Sequence, residues 1–239
     1  DDVRYYSNAG YEGIGIVREK IRSQKIRTIN MTLKKYHLSV SELCSAGRLV
    51  SRDSDVLSFH INDAIQAIET AHSLEAKSLI ILAGFEPSFT YSVSLDVLRA
   101  SIEKLLPIAE KNSVRLALEP LHPIYKSSLS FLVSLGDALD LVNRINSDYL
   151  GIWLDTYHIW WDPNVIDNIY QAKDKIFGVH INDSLPSPIS SSDWRLPGQG
   201  VIPINEILKA IDSTGWQGMY SVEVVSDKIS EAEYPQVLE

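Results

Sequence analysis

Short apolar runs rich in branched residues recur along the chain, and segments with the apolar spacing of helices separate them. The runs predict strands at residues 13–17, 39–44, 78–83, 114–118, 150–154, 176–181 and 219–225. Helical periodicity is clearest at residues 62–74, 98–111 and 204–214. This alternation of strands and helices predicts βαβ units around a parallel sheet.

The number of predicted strands suggests a barrel with one strand fewer than the eight of a complete (β/α)₈ TIM barrel. We predict a single domain over residues 1–239 with this α/β fold, lacking the first strand and the C-terminal closing helix through truncation. Residues 1–10 have the pattern of a helix end closed by glycine, and residues 226–239 are too short and polar for a full closing helix. A naturally open seven-stranded barrel is the competing interpretation.

No Pro/Ser-rich linker divides the chain into two parts. The densest such stretch, residues 184–193, follows a predicted strand. Barrels of this type carry their functional loops at that position.

Polar residues fall at the carboxyl ends of four successive predicted strands. Glu119, Asp155, His180 and Glu223 each stand at or near the end of an apolar run. Side chains alternate along a strand, so the residues two places earlier share their inward direction. Those residues are Ala117, Trp153, Gly178 and Ser221, whereas the intervening Leu118, Leu154, Val179 and Val222 are expected to face the helices.

Three carboxylates at one barrel mouth would repel each other. At about 5 Å spacing and an effective dielectric constant near 20, each pair costs about 3 kcal/mol. A divalent cation removes that repulsion, and three carboxylates with one imidazole suit Mn²⁺, Co²⁺, Zn²⁺, Fe²⁺ or Mg²⁺. A single acid at a strand end is more often a cap or salt-bridge partner, but four in register favour one shared metal site.

Charge and composition disfavour nucleic-acid-binding and membrane-spanning proteins. The formal charge of −9 disfavours non-specific nucleic-acid binding. No apolar run reaches the roughly 20 residues of a membrane span. One cysteine allows no intrachain disulfide, so we expect a cytoplasmic protein. From the charge and the short apolar runs we expect neither a nucleic-acid nor a membrane partner. The oligomeric state stays open, with a homo-oligomer as one option.

Several motifs resemble the xylose isomerase-like TIM-barrel superfamily, which contains sugar and sugar-phosphate isomerases and epimerases together with endonuclease IV. They are LALEPLHP, WLDTYH, GVHINDS, RLPGQG and SVEV, with the weaker GYEGIGIVREK near the start. The resemblance implies one divalent ion held by Glu119, Asp155, His180 and Glu223. In the ketose 3-epimerase branch the two glutamates also move the proton.

The same resemblance suggests residues that bind substrate. His158 corresponds to a substrate-binding histidine, and Arg195 to an arginine that holds substrate oxygens. His122 and Tyr125 lie in the loop after Glu119, within reach of a substrate. Tyr125 is a departure, because the epimerases carry a substrate-binding glutamate there.

Endonuclease IV needs three zinc ions and further histidine ligands. Here the strand in SLIILAG (residues 78–84) ends without histidine, and Arg195 stands where that enzyme has a histidine ligand, although Asp193 could match one of its other ligands. We therefore predict a metal-dependent isomerase or epimerase acting on a sugar, sugar phosphate or polyol-derived ketone. The alternatives are a dehydratase of the same superfamily, an endonuclease IV-like phosphodiesterase, and a non-catalytic metabolite-binding barrel.

Overall fold

The computed structural model describes residues 2–186 and 194–225. The strands are β1 (Gly13–Val17), β2 (Ser39–Gly47), β3 (Ser78–Leu82), β4 (Arg115–Leu118), β5 (Leu150–Asp155), β6 (Ile176–Ile181), β7 (Asp183–Ser184), β8 (Trp194–Arg195) and β9 (Tyr220–Val222). The helices are α1 (Asp2–Asn8), α2 (Arg18–Ile21), α3 (Ile26–Lys35), α4 (Ser54–Ser73), α5 (Tyr91–Lys111), α6 (Leu135–Ile145), α7 (Thr156–Ile159), α8 (Val165–Ala172) and α9 (Ile204–Ser213). Each apolar run predicted to be a strand forms one.

Three of the long helices begin at a residue whose side chain caps the free backbone N–H groups of the first turn. Asp53 accepts from two N–H groups at the start of α4, Thr90 accepts from one at the start of α5, and Ser134 does the same for α6. Such caps fix where a helix starts, and therefore where the preceding loop at the barrel mouth ends. Among the described helices, none is both long and apolar enough to cross a bilayer.

Within the described residues, seven parallel strands form one sheet in the order β1-β2-β3-β4-β5-β6-β9. The two outer strands, β1 and β9, approach each other across a seam, since a Cβ added at Gly13 would lie 2.7 Å from Met219 Sδ. Near this seam the hydroxyl oxygens of Ser41 in β2 and Ser221 in β9 lie 3.3 Å apart. The predicted α/β barrel is therefore confirmed as a nearly closed parallel barrel surrounded by helices. Residues 187–193, which include Asp193, and residues 226–239 lie outside the described part.

Two apolar layers show the predicted alternation of side chains. Inside the barrel, Ile80, Ala117 and Trp153 form a small cluster. Phe177 joins it as an exception to strict alternation, at the point where the β5–β6 register shifts. Outside it, a large cluster between the sheet and the helices contains Leu118, Leu154 and Val179. Val222 differs, because it lies on the edge strand β9 and its side chain is 49% exposed.

Gly178 leaves the space that the Trp153 indole occupies inside the barrel. A Cβ added at residue 178 would overlap the indole ring. We expect Gly178→Ala to lower the free energy of unfolding by about 1–3 kcal/mol, since a side chain forced into a packed interior must displace its neighbour. Urea denaturation measures this loss. The loss should shrink when the same change is made in a Trp153→Phe background, and equal losses in both backgrounds would contradict the steric explanation.

Candidate metal centre

Three of the four polar residues at the strand ends, Glu119, Asp155 and Glu223, surround the imidazole of the fourth, His180. The His180 Nδ1 atom lies 2.8 Å from Glu223 Oε2, 3.5 Å from Asp155 Oδ2 and 3.8 Å from Glu119 Oε1. Asp155 ends β5 and His180 lies in β6, whereas Glu119 and Glu223 directly follow β4 and β9. Because these strands are neighbours in the sheet, their carboxyl ends bring the four side chains to one point at the barrel mouth.

Two atoms in this group are buried without a hydrogen-bond partner among the described residues. They are Glu119 Oε1 and His180 Nδ1. The 2.8 Å contact between His180 Nδ1 and Glu223 therefore meets the distance of a hydrogen bond but not its alignment. Buried polar atoms are seldom left unpaired. Ligand atoms of Glu119, Asp155 and His180 all lie within 4.8 Å of one another, a spacing at which these three residues could hold one metal ion.

The pKa shifts at the centre have identifiable causes. Burial, followed by the charge of Asp155, raises the pKa of Glu119 well above its usual range. Burial also pushes the pKa of Asp155 upward, but His158 and His180 outweigh it and lower that pKa. Burial acts to lower the pKa of His180, whereas Glu223 and the neighbouring acids together raise it well above the usual value. The cluster therefore favours positive charge at its centre.

Asn182 holds the Asp155 carboxylate in place. Its side-chain amide donates to Asp155 Oδ2 at 2.9 Å, and its side-chain oxygen accepts from the Thr156 hydroxyl and the Tyr157 backbone N–H. The other oxygen of Asp155 accepts the backbone N–H of His158 at 3.1 Å. Both carboxylate oxygens are thus oriented by neighbours, as expected for a ligand whose direction must be fixed.

Sequence reasoning missed Glu42, the buried acid on the far side of the His180 ring. Glu42 lies inside β2, and its Oε1 atom is 3.2 Å from His180 Nε2. The available signal was an acidic residue within an otherwise apolar strand. Its relation to His180 depends on barrel closure, because the two residues are separated by 138 positions.

Cys44 stands two residues after Glu42 and has one ligand atom close to both Glu42 and His180. Burial, followed by the charge of Glu223, raises the pKa of the Cys44 thiol well above its usual value. A thiol held protonated in this way is a poor nucleophile and a poor metal ligand.

His158 is buried beside the four-residue cluster. Its Nδ1 atom accepts the backbone N–H of His122 at 3.1 Å, and burial lowers its pKa. A neutral imidazole that accepts at Nδ1 carries its proton at Nε2, which is then a hydrogen-bond donor. The rings of Tyr125, Tyr157 and Trp194 contact the His158 ring at centroid distances of 5.3–5.5 Å.

Tyr125 belongs to the same aromatic wall. Its hydroxyl accepts from the Trp194 indole N–H at 3.3 Å, and the side chain is buried. Burial raises the pKa of Tyr125, and the Trp194 hydrogen bond only partly opposes that shift. The side chain at residue 125 is therefore a neutral phenol fixed against β8.

Arg195 lies next to Trp194 in β8, and its guanidinium donates to the Trp194 carbonyl at 2.9 Å. Within the described residues, no ion pair joins Arg195 to the three acids of the cluster. The structure therefore brings Glu119, Asp155, His180 and Glu223 together and places His158 and Tyr125 beside them. Arg195 lies at the end of β8, next to the loop that follows this strand.

Asp183 organises the loop that carries Arg195. Its carboxylate accepts four backbone N–H groups at 2.8–3.1 Å, which belong to Ser184, Gly198, Gly200 and Ile202. A Cβ at residue 200 would collide with Asp183, so glycine is required there. The sequence shows the acid in GVHIND, but the three partners at residues 198, 200 and 202 come close to it only once the loop has folded back.

The His122 ring is half-buried against Tyr157 and Trp161. Burial, then the charge of His158, lowers the pKa of His122 to about 4. Between pH 6.5 and about 4 the unfolded chain binds a proton at this residue that the folded chain does not, so stability falls as the pH falls through that range. We expect His122→Gln to lose part of this acid sensitivity. Unfolding free energies of both proteins at pH 7.5 and 5.0 provide the measurement, and identical pH dependence would refute the assignment.

A sequence model of the family described as xylose isomerase-like TIM barrel matches residues 3–239. An inosose isomerase of Bacillus subtilis (strain 168) is 34% identical over 136 residues, which cover 55% of this chain and 46% of that protein. The chain therefore aligns with about half the length of that relative. An inosose isomerase of Bacillus velezensis is 26% identical over 238 residues, covering 93% of this chain and 82% of that protein. A "Probable endonuclease 4" of Mesomycoplasma hyopneumoniae (strain J) is 29% identical over 158 residues, covering 62% of this chain and 55% of that protein.

Solved structures share the fold over almost the whole chain. A protein from Sinorhizobium meliloti 1021 superposes with a TM-score of 0.92 at 26% identity, covering 99% of this chain and 89% of that one. The IOLI protein, whose structure contains a zinc atom, superposes with a TM-score of 0.86 at 24% identity, covering 99% of this chain and 88% of that one.

Proposed function

This chain belongs to the xylose isomerase-like TIM barrel family, and from that premise we propose that it is a divalent-metal-dependent isomerase or epimerase. Its substrate is a sugar, a sugar phosphate or a polyol-derived ketone, and the reaction begins with removal of the proton next to the carbonyl. The inosose isomerases among the relatives make cyclic polyol ketones the first substrates to examine.

One observation carries the proposal: His180 Nδ1 and Glu119 Oε1 are buried, unpaired and surrounded by carboxylates. We assign Glu119, Asp155, His180 and Glu223 as the residues that hold the ion. The zinc atom in the IOLI structure supports a divalent ion for that fold, and the ion here is Mn²⁺, Co²⁺, Zn²⁺, Fe²⁺ or Mg²⁺. When bound, such an ion supplies Lewis-acid stabilisation of negative charge on substrate oxygens.

Glu119 and Glu223 are the proton-moving groups. They follow β4 and β9, which β5 and β6 separate in the sheet, so the two carboxyl groups reach the site from different sides. One carboxylate removes the proton and the other returns it from the opposite face, as epimerisation requires; isomerisation can use the same pair. General acid–base catalysis of this kind contributes about 10²–10⁴-fold to a rate.

His158 and the neighbouring aromatic residues bind and orient the substrate. The proton on His158 Nε2 provides a donor for a substrate oxygen, since Nδ1 already accepts the His122 backbone N–H. Tyr125, whose ring meets the same imidazole edge-to-face, and His122 line this side, and they exclude water from the reacting carbon. Arg195 holds a distal hydroxyl, carboxylate or phosphate from its loop.

Solvent exchange tests the proposal. Metal-loaded protein is incubated in D₂O with a panel of inososes and ketoses, and NMR follows deuterium at the carbon next to the carbonyl. We expect label with at least one candidate, together with an isomer or epimer of it. Label accompanied by loss of water would identify the dehydratase alternative. An absence of label with every candidate would favour the non-catalytic barrel.

Metal stoichiometry distinguishes the endonuclease IV-like alternative. The proposed centre binds about one ion per chain, whereas the nuclease cluster requires three. β3 ends in Leu82, followed by Ala83 and Gly84, so this strand end supplies no imidazole. Elemental analysis is expected to give one ion, and three ions with cleavage of abasic DNA would replace the isomerase proposal.

A further inference from the structure

Glu42 is a buried acid that the proposed reaction does not use. It lies in β2 on the inner face of the barrel and is 2% exposed. Gly15 in β1 provides the space for it, because a Cβ at residue 15 would collide with the Glu42 carboxyl group. The chain therefore keeps an acid in an enclosed position across the barrel from β6.

Both oxygens of Glu42 have defined partners. Its Oε1 atom lies 3.2 Å from His180 Nε2, and its Oε2 atom accepts the Ser221 hydroxyl at 3.2 Å. Ser221 in turn lies 3.3 Å from the hydroxyl of Ser41. This short network fixes the direction of the Glu42 carboxyl group toward the His180 ring.

The His180 ring has two different sides. Nε2 faces Glu42, whereas Nδ1 faces Glu119, Asp155 and Glu223 and has no hydrogen-bond partner among the described residues. A neutral imidazole carries one proton, and an acceptor at Nε2 keeps the proton on that nitrogen. The lone pair then remains on Nδ1, where the three other acids converge. An acid that hydrogen-bonds the remote nitrogen of a ligating histidine also makes that histidine a stronger donor.

We infer that Glu42 is a positioning residue for the metal centre, which fixes the tautomer and the orientation of His180 so that Nδ1 binds the ion. The inference rests on the proposed function through the metal site. It assigns Glu42 no contact with substrate or metal.

A competing arrangement uses the same residues differently. One ligand atom each from Glu42, Cys44 and His180 lie within 4.8 Å of one another, so an ion could in principle bind on the Nε2 side. In that arrangement Glu42 would be a direct ligand and Cys44 would supply a thiolate. The two arrangements differ in whether the metal bonds to the Cys44 sulfur, which Co²⁺ used as a probe ion would reveal.

Metal titration of the full chain distinguishes these possibilities without reference to activity. Co²⁺ and Zn²⁺ affinities are measured by competition with a chelator for the wild-type protein, Glu42→Ala, Glu42→Gln and the surface control Glu69→Ala. We expect Glu42→Ala to bind about 10–100-fold more weakly, in the range found for groups that orient a metal ligand. Glu42→Gln keeps an acceptor oxygen, so its loss of metal affinity is expected to be smaller than that of Glu42→Ala but at least about threefold. The control should bind metal as tightly as the wild type.

Spectroscopy supplies the readout that a general loss of stability would not change. In the Zn²⁺ form, ¹⁵N NMR of His180 should show a protonated Nε2 whose hydrogen exchanges slowly in the wild type and faster in Glu42→Ala. The Co²⁺ form should lack a sulfur-to-cobalt charge-transfer band.

Three results separate the inference from the proposed function. Affinities within twofold of the wild type in both Glu42 variants would overturn the inference and leave the metal site intact. A charge-transfer band from Cys44 would overturn it in favour of the Nε2-side arrangement. If Glu42→Ala fails to fold, the metal affinity of Glu42→Gln alone tests the inference. No binding of any divalent ion by the wild-type protein would instead defeat the proposed function.

Discussion

Metal-loaded Glu223→Gln protein is expected to exchange substrate hydrogen with solvent at least about 100-fold more slowly than the wild type, because an amide cannot accept the transferred proton. Glu223 directly follows β9 and lies 2.8 Å from His180 Nδ1, so the substitution removes a carboxylate from the centre itself. The rate is measured by NMR in D₂O with the best substrate of the inosose and ketose panel. Saturating metal separates the loss of a proton acceptor from weaker metal binding.

The matched control for this variant is Glu206→Gln, which removes one negative charge from the exposed first turn of α9. It should exchange at the wild-type rate. The metal content of both variants is determined in the same samples. An exchange rate of Glu223→Gln within about fivefold of the wild type, at full metal occupancy, would remove Glu223 from the proton-moving role.

Asp183→Asn is expected to lower the free energy of unfolding by about 2–4 kcal/mol, because hydrogen bonds to a charged acceptor are among the strongest in a protein. The wild-type carboxylate accepts four backbone N–H groups from Ser184 and the loop after β8. An asparagine side chain offers one oxygen and turns an NH₂ group toward the remaining donors. Urea denaturation gives the total loss, and hydrogen exchange of the amides at 198–202 locates it.

The Asp183→Asn substitution is also expected to affect substrate binding through Arg195. If the loop positions Arg195 over the substrate, Asp183→Asn should raise the KM for a substrate more than it lowers kcat. Asp167→Asn, on the exposed surface of α8, is the control with the same chemical change. Unchanged protection of the loop amides in Asp183→Asn would show that the four hydrogen bonds contribute little.

The barrel could be predicted from the sequence because its strands are apolar on both faces and its helices have clear periodicity. The inward direction of Ala117 and Trp153 followed from counting two residues back from a polar strand end, and both lie in the interior cluster. Strand ends were less exact. β9 covers only Tyr220–Val222 of the predicted range 219–225, and it pairs with β6 alone in the described sheet.

The convergence of the four polar strand ends could also be predicted, since neighbouring parallel strands place their carboxyl ends side by side. The supporting residues could not be predicted in the same way. Glu42 reaches His180 across the barrel, and Asp183 meets amides 15–19 residues later in the chain. Such contacts depend on barrel closure and loop folding, which a local pattern of polar and apolar residues does not encode.

The central claim is that one divalent ion binds between His180 Nδ1 and the carboxylates of Glu119, Asp155 and Glu223. Anomalous X-ray diffraction from crystals grown with Zn²⁺ or Mn²⁺ tests it most directly. We expect one strong anomalous peak, about 2.0–2.2 Å from the ligand atoms of all four side chains. A peak on the Nε2 side between Glu42 and Cys44, or no peak at a metal concentration that saturates the protein in solution, would contradict the claim.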